Sequence, residues 1–229
     1  LDGRLTADEP DWDFDAECRA ALTTASRVVD LGTGGGEQLI ALLEAVGRGV
    51  DDGLQVAATE GWEPNVAVAR RNLAPHGGSV HGHDVEAGGP LPFMDDSLDL
   101  VISRHEDFKA HEIARVLAPG GRFLTQQVDG REAHEFREWF GGEALHADVT
   151  LANSESELRA AGLRIEVAEE WAGRMEFADA LTVVEYLALV PWDVPGFTVE
   201  DNVEQLRRLD AARPISVTQR RFRLIAVRD

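Results

Sequence analysis

Short apolar runs alternate along the chain with stretches whose apolar residues recur every three or four positions. The runs are Val28–Leu31, Leu54–Thr59, Ser79–Gly82, Leu98–Ser103, Arg122–Val128, Leu163–Ala168 and Arg220–Val227. Their length and β-branched content read as strands. Helical spacing lies between them: Trp12, Phe14, Cys18, Ala21 and Leu22 over 10–26; Leu39, Ile40, Leu42, Leu43 and Val46; Val66, Val68, Ala69 and Leu73; Phe108, Ile113, Val116 and Leu117. Asp11 or Asp13 suits the start of the first helix, and Pro64 the first turn of the third. The helix over 108–117 stops at Pro119-Gly120-Gly121. Further on, 131–140 forms an amphipathic helix, and Ser154-Glu155-Ser156-Glu157 a capping box for a helix ending at Gly162. Leu98–Ser103 is largely apolar, as a central strand covered on both faces requires. The alternation predicts an α/β fold with a mostly parallel sheet.

The first strand ends in Asp30 and runs into Leu31-Gly32-Thr33-Gly34-Gly35-Gly36. Glycines at every second position permit positive φ and let a ligand lie on bare backbone. The helix that follows offers its first amides to a polar or anionic group. The second strand ends at Glu60, where a carboxylate is the expected partner for the two hydroxyls of a ribose. Trp62 beside it offers a flat face on which an adenine stacks. The third strand ends at His83-Asp84-Val85, with Asp84 placed to accept from an adenine amino group. His81, His83 and Asp84 lack the further ligands that a metal site needs, so no metal is expected. Arg104-His105-Glu106-Asp107 follow the fourth strand, at the end where open α/β sheets hold ligands.

Together, Asp30–Gly36, Glu60, Asp84, Leu91-Pro92-Phe93 through Ser103, and Arg115-Val116-Leu117-Ala118-Pro119-Gly120-Gly121-Arg122 resemble class I S-adenosylmethionine-dependent methyltransferases. The nearest likeness is the type 11 group, which includes the ubiquinone/menaquinone-biosynthesis type. It covers about residues 25–130. The resemblance implies a doubly wound, seven-stranded, mostly parallel Rossmann-like sheet whose seventh strand is antiparallel. It also implies S-adenosylmethionine as cofactor and S-adenosylhomocysteine as product. Asp30 and the turn of Gly32, Thr33, Gly34 and Gly36 would hold the methionine end, Glu60 the ribose, and Asp84 with Val85 the adenine; Trp62 and Ser103 complete the expected cofactor set. Two departures are visible: a long spacer, Gly47–Gly53, before the second strand, and Gly61 where the family often has an apolar residue, whose packing Trp62 would take over.

The remainder, 131–229, is where acceptor specificity is expected. The whole chain reads as one methyltransferase domain, 1–229, with 171–213 a helical lid between strands six and seven or, alternatively, a dimerisation arm. Its Trp171, Tyr186 and Trp192 suit an aromatic acceptor pocket or core packing. For a hydroxyl acceptor His105 is the candidate base, because imidazole titrates near neutrality; the bland alternative is a histidine that only hydrogen-bonds the lid. Arg104 suits a substrate carboxylate, or an ion pair with Glu106 or Asp107. One of Gln126 and Gln127 should face the cleft.

Charge narrows the acceptor. The chain carries a formal net charge of −20 and a sequence pI near 4.6, which repels polyanions. Arg220-Arg221-x-Arg223 is its basic cluster, expected to be a solvated edge. The expectation is therefore a small-molecule acceptor, with RNA or protein methylation and a non-catalytic cofactor-binding protein as alternatives. Cys18 reads as a small apolar helix residue, and a single cysteine suits a reducing cytoplasm. No signal peptide or membrane span is expected. Nearly all positive charge is arginine, Lys109 being the single lysine. The first residue is Leu1 rather than Met, so a longer gene product is expected. A monomer or homodimer is expected.

Overall fold

In the computed structural model, residues 1, 3–49, 52–85 and 87–229 are described; Val50 and Asp51 of the long spacer lie outside them. The elements are β1 (Leu5–Ala7), α1 (Phe14–Leu22), β2 (Arg27–Leu31), α2 (Glu37–Val46), β3 (Gln55–Glu60), α3 (Glu63–Leu73), β4 (Ser79–Gly82), β5 (Leu98–Arg104), α4 (Ala110–Val116), β6 (Leu117–Val128), α5 (His134–Phe140), α6 (Leu151–Ala160), β7 (Leu163–Phe177), α7 (Ala180–Leu189), α8 (Val203–Ala211) and β8 (Ile215–Arg228). The strands hydrogen-bond in the order β1-β7-β8-β6-β5-β2-β3-β4.

The chain forms two compact units. One comprises Trp12–Gln127, Leu151–Glu169 and Arg223–Asp229. Its β2 pairs in parallel with β3 on one side and β5 on the other; β4 continues from β3, and β6 from β5. Helices connect these strands, as parallel pairing demands. Its core joins Cys18 and Leu22 of α1, Leu39 and Leu43 of α2, Val66 and Leu73 of α3, and Val28, Val56, Leu100 and Leu124 of the sheet. At the start of β2, Asp99 accepts from Ser26 N at 3.1 Å, Arg27 N at 2.9 Å and Arg27 Nη2 at 2.6 Å. The Arg27 guanidinium holds the Asp99 carboxyl below its ordinary range. Arg115 of α4 gathers the Pro-rich loop: it donates to Leu91 O at 3.0 Å and Phe93 O at 2.8 Å, and pairs with Glu112 at 2.6 Å. That accounts for the arginine of the Arg115–Arg122 segment.

The other unit comprises Leu1–Asp11, Val128–Thr150 and Glu170–Phe222. Here β1 pairs antiparallel with β7, Leu5 opposite Phe177. Phe136, Phe177, Val183, Leu187, Val194 and Val217 make its core.

Several elements differ from expectation. The sheet has eight strands rather than seven, the extra one being the short β1. Residues 171–177, expected to open the lid, continue β7, and β1 is the ladder partner of Met175–Phe177. Helix α6 begins at Leu151, so Ser154 lies inside it and is buried rather than capping. Strand β6 begins at Leu117: Leu98 pairs with Leu117 and Leu100 with Arg122, so Ala118–Gly121 bulge out opposite Asp99. The basic cluster is not a solvated edge. Arg221 pairs with Glu132 at 2.8 Å in one unit. In the other, Arg223 pairs with Glu17 and Glu169 and lies over the Trp12 ring. Among the described residues, no helix is long and apolar enough to cross a membrane.

Candidate active site

The glycine corner is built at the end of β2 and held sideways by the end of β3. Gly32 N donates to Thr59 Oγ1 at 3.3 Å, Thr33 N to Thr59 O at 2.9 Å, and Gly34 N to Glu60 Oε2 at 2.7 Å. Gly36 N closes onto Thr33 O at 2.9 Å. The other oxygen of Glu60 accepts from Trp62 N at 2.8 Å. One buried carboxylate thus ties the corner to the first turn of α3, and each oxygen keeps a further lone pair. Helix α3 also contributes Asn72, whose amide donates to Gly35 O at 2.9 Å.

The glycines do different jobs. Gly32 has φ +62, and a Cβ there would stand 2.4 Å from Glu106 Oε2 and 2.6 Å from Glu106 Cβ, so its bare face is taken by a protein side chain. Gly34, at φ +60, would carry its Cβ into open space. Gly61, where the family often has an apolar residue, lies so close to the tip of β4 that a Cβ would meet Asp84 Cα at 3.1 Å and His83 O at 3.3 Å. Trp62 does not take over that packing; it is 64% exposed.

Two recesses flank the corner and share Leu31. The first is lined by Phe14, Cys18, Asp30, Thr33 and Arg104 among others. Burial pushes the Cys18 thiol up to about 12, in keeping with an apolar helix residue. Burial likewise pushes Asp30 up to about 6, against the pull of Thr33 and the Arg104 charge. The Thr33 hydroxyl, buried beside Asp30, meets no hydrogen-bond geometry there or elsewhere. Arg104 pairs with Asp15 of α1 and lies 5.1 Å from the Phe14 ring centroid. The second recess is lined by His83, Val85, Leu91, Phe108 and Lys109 among others. Asp84 Oδ1 accepts from Ala87 N at 3.2 Å.

The β5 tip is fixed by buried polar groups. Ser103 Oγ donates to Glu106 O at 2.8 Å, and Gln127 Nε2 donates to the same carbonyl at 2.8 Å. Ser103 thus anchors the loop that carries Arg104–Asp107. His105 has φ +61, and its N donates to Gln126 O at 2.9 Å. His81 packs edge-on against Phe93, with centroids 5.3 Å apart. Among the described residues, no group of three or more His, Cys, Asp or Glu is placed to hold a metal.

Residues 29–125 match the family model described as a methyltransferase domain. They carry the pattern of a methyltransferase domain, consistent with the class I, type 11 group. S-adenosylmethionine is the cofactor of this domain. The solved structures it resembles are distant: YcgJ from Bacillus subtilis is 19% identical, with 94% of this chain and 97% of that one covered and a TM-score of 0.62. A SAM-dependent methyltransferase from Aquifex aeolicus is 19% identical over 69% and 82%, TM-score 0.50. The [4+2]-cyclase SpnF is 19% identical over 93% and 81%, TM-score 0.54. At these identities the likeness is one of fold, which hosts more than one reaction. No curated protein sequence matches the chain significantly.

Within residues 29–125 the sequence motifs converge on the corner, while Thr59 and Asn72 join it unannounced and Glu106, expected as a partner for Arg104, fills the space beside Gly32. Asp30 gives the domain a pH signature. A carboxyl raised to about 6 from 3.8 contributes stability that is complete below about pH 4 and lost as pH rises through about 6. The shift corresponds to roughly 3 kcal/mol. Asp30→Asn should therefore equal the native chain near pH 4 and exceed it at pH 8 by up to that amount. Urea unfolding at the two pH values measures the difference.

Proposed function

We propose that the glycine corner holds S-adenosylmethionine and that the chain directs its methyl group to a small-molecule acceptor. The observation that carries this reading is the Glu60 carboxylate, locked between Gly34 N and Trp62 N with lone pairs to spare for two ribose hydroxyls. The corner also fits the group by other marks: open space over Gly34, and the buried Thr33 hydroxyl beside Asp30. In this reading Asp30, Gly32, Thr33, Gly34 and Gly36 hold the methionine end. Trp62, Asp84 and Val85 receive the adenine, and Ser103 supports the site by fixing the β5 loop.

When bound, the cofactor supplies an activated methyl group. The chain's task is then to orient the acceptor and exclude water, since positioning accounts for much of such a transfer. His105 takes the proton of a hydroxyl acceptor; Arg104 holds an acidic acceptor at the cost of competing with Asp15. The charge of −20 and the internal pairing of Arg221 and Arg223 favour a small acceptor over RNA. Residues 171–213, expected as a lid or a dimerisation arm, lie outside 29–125. In its own unit that segment supplies α7, α8 and the exposed Leu181, Leu189 and Trp192.

Calorimetry with S-adenosylmethionine and S-adenosylhomocysteine, followed by transfer of a radiolabelled methyl group to panels of small phenols and acids, tRNA and protein, tests the proposal. Binding of both nucleosides and label in a small molecule are expected. Label in RNA or protein alone, or binding without transfer to any arm, would replace it.

A further inference from the structure

The backbone donors of the glycine corner are already spent. Gly32 N donates to Thr59 Oγ1 at 3.3 Å, Thr33 N to Thr59 O at 2.9 Å, Gly34 N to Glu60 Oε2 at 2.7 Å, and Gly36 N to Thr33 O at 2.9 Å. A bare turn ahead of a helix ordinarily offers its amides to an anion; here four of them face acceptors of the protein itself. One of those acceptors is a carboxylate. The place where a ligand anion would meet Gly34 N therefore already carries a negative charge. A second carboxylate lies alongside. Glu37 opens α2, and a Cβ on Gly35 would run into its carboxylate oxygens. An acid in the first turn answers the positive end of the helix, which is the other attraction such a corner has for phosphate. Asp30 adds a third acid in the recess beside the corner, and the arginine of that recess, Arg104, is paired with Asp15.

We propose that the corner refuses phosphate: Glu60 on Gly34 N and Glu37 over Gly35 hold the two places a 5′-phosphate would take. The site then accepts adenosines whose 5′ substituent is neutral or cationic and rejects adenine nucleotides. The proposal rests on the reading that Glu60 holds the ribose and that the 5′ chain lies along the turn. What the turn still presents is open space over Gly34 and the lone pairs of carboxylates. A sulfonium or ammonium is stabilised there. A phosphate would give up its water to meet charges of its own sign, with the amides that could receive it already bonded. Both glutamates are thus specificity residues, but of different kinds. Glu60 holds the ribose and shields an amide, whereas Glu37 only shields.

The test is calorimetric titration of the full chain with adenosine, adenosine 5′-monophosphate and S-adenosylhomocysteine. The ratio of the first two affinities isolates the phosphate, because base and ribose are common to both. In the native chain the monophosphate should bind about tenfold more weakly than adenosine, the scale of one close like-charge contact at a partly solvated site. Glu60→Gln weakens both ligands through the ribose, yet it should remove most of the difference between them. Glu37→Gln should narrow the difference about threefold, as suits one exposed charge at a helix start. Glu44→Gln deletes the same charge near the far end of α2 and should leave the ratio as it is. A native chain that takes up no adenosine, or binds the monophosphate as tightly, overturns the proposal. So does a difference that neither Glu60→Gln nor Glu37→Gln reduces, or that Glu44→Gln reduces equally. S-adenosylhomocysteine tells the failures apart: if the native chain binds it, the cofactor reading stands without the phosphate barrier, and if not, both fall.

Discussion

Glu60→Ala should weaken S-adenosylhomocysteine binding about 100-fold, the largest loss expected from any single change in the cofactor site. A charged hydrogen bond contributes about 1.5–3 kcal/mol, and tenfold in affinity is about 1.4 kcal/mol. The substitution removes two such acceptors from backbone amides, at Gly34 and Trp62, besides those proposed for the ribose. Glu60→Gln separates the two contributions. Its amide nitrogen cannot accept from either backbone N–H, so one of the two clamps is broken while the other survives. Affinity should fall between the native value and that of the alanine variant. Calorimetry gives the affinities. Equal affinity in all three chains would show that the β3 tip takes no part in nucleoside binding.

The second large effect concerns the other unit. Phe136 of α5 is fully buried, and its ring lies within 5.6 Å of Phe177, 5.8 Å of Tyr186 and 5.9 Å of Trp139 between centroids. Phe136→Ala deletes the ring around which these aromatics are arranged. Buried Phe→Ala changes cost about 3–5 kcal/mol, a large part of the 5–15 kcal/mol that holds a typical domain together. The melting temperature should drop by roughly 10 °C. Phe136→Leu keeps most of the volume and should cost about 1 kcal/mol. Thermal unfolding followed by circular dichroism measures both. A loss below about 1 kcal/mol for the alanine variant would mean that the neighbouring rings collapse into the space.

How far the sequence could be read follows from which contacts are local. The strand, the bare turn and the acid at the next strand's tip are signalled within a few residues of one another, so the corner was legible before any coordinates. Its lateral supports were not. Thr59 looks like one more β-branched strand residue and Asn72 like a helix surface residue, until their distant partners, Gly32 and Gly35, are known. The same distance hid the roles of Arg221 and Arg223: their acids, Glu132 at one position and Glu17 with Glu169 at the other, lie far away along the chain. The end of β7 was misplaced for a related reason. The alternation that marks the strand is read over Leu163–Ala168, but Leu5–Ala7 offers a distant pairing edge to Met175–Phe177. The start of α6 was missed because Leu151 and Ala152 are good helix formers, so the helix nucleates ahead of the Ser-x-x-Glu pattern. Gln126 and Gln127 are equivalent choices in the sequence; their distant partners, the Trp12 indole for the first and Glu106 O for the second, tell them apart.

Positions 32 and 106 are one steric unit, since the space a side chain would need at the first is filled by the second. The cost of alanine at 32 then has two parts of different kinds. One is the clash, which shortening residue 106 would return; the other is the left-handed backbone, which it would not. Evolution could thus trade the two positions only partway. Part of the glycine signature at this corner is a record of the loop that lies on it, independent of whatever the corner binds.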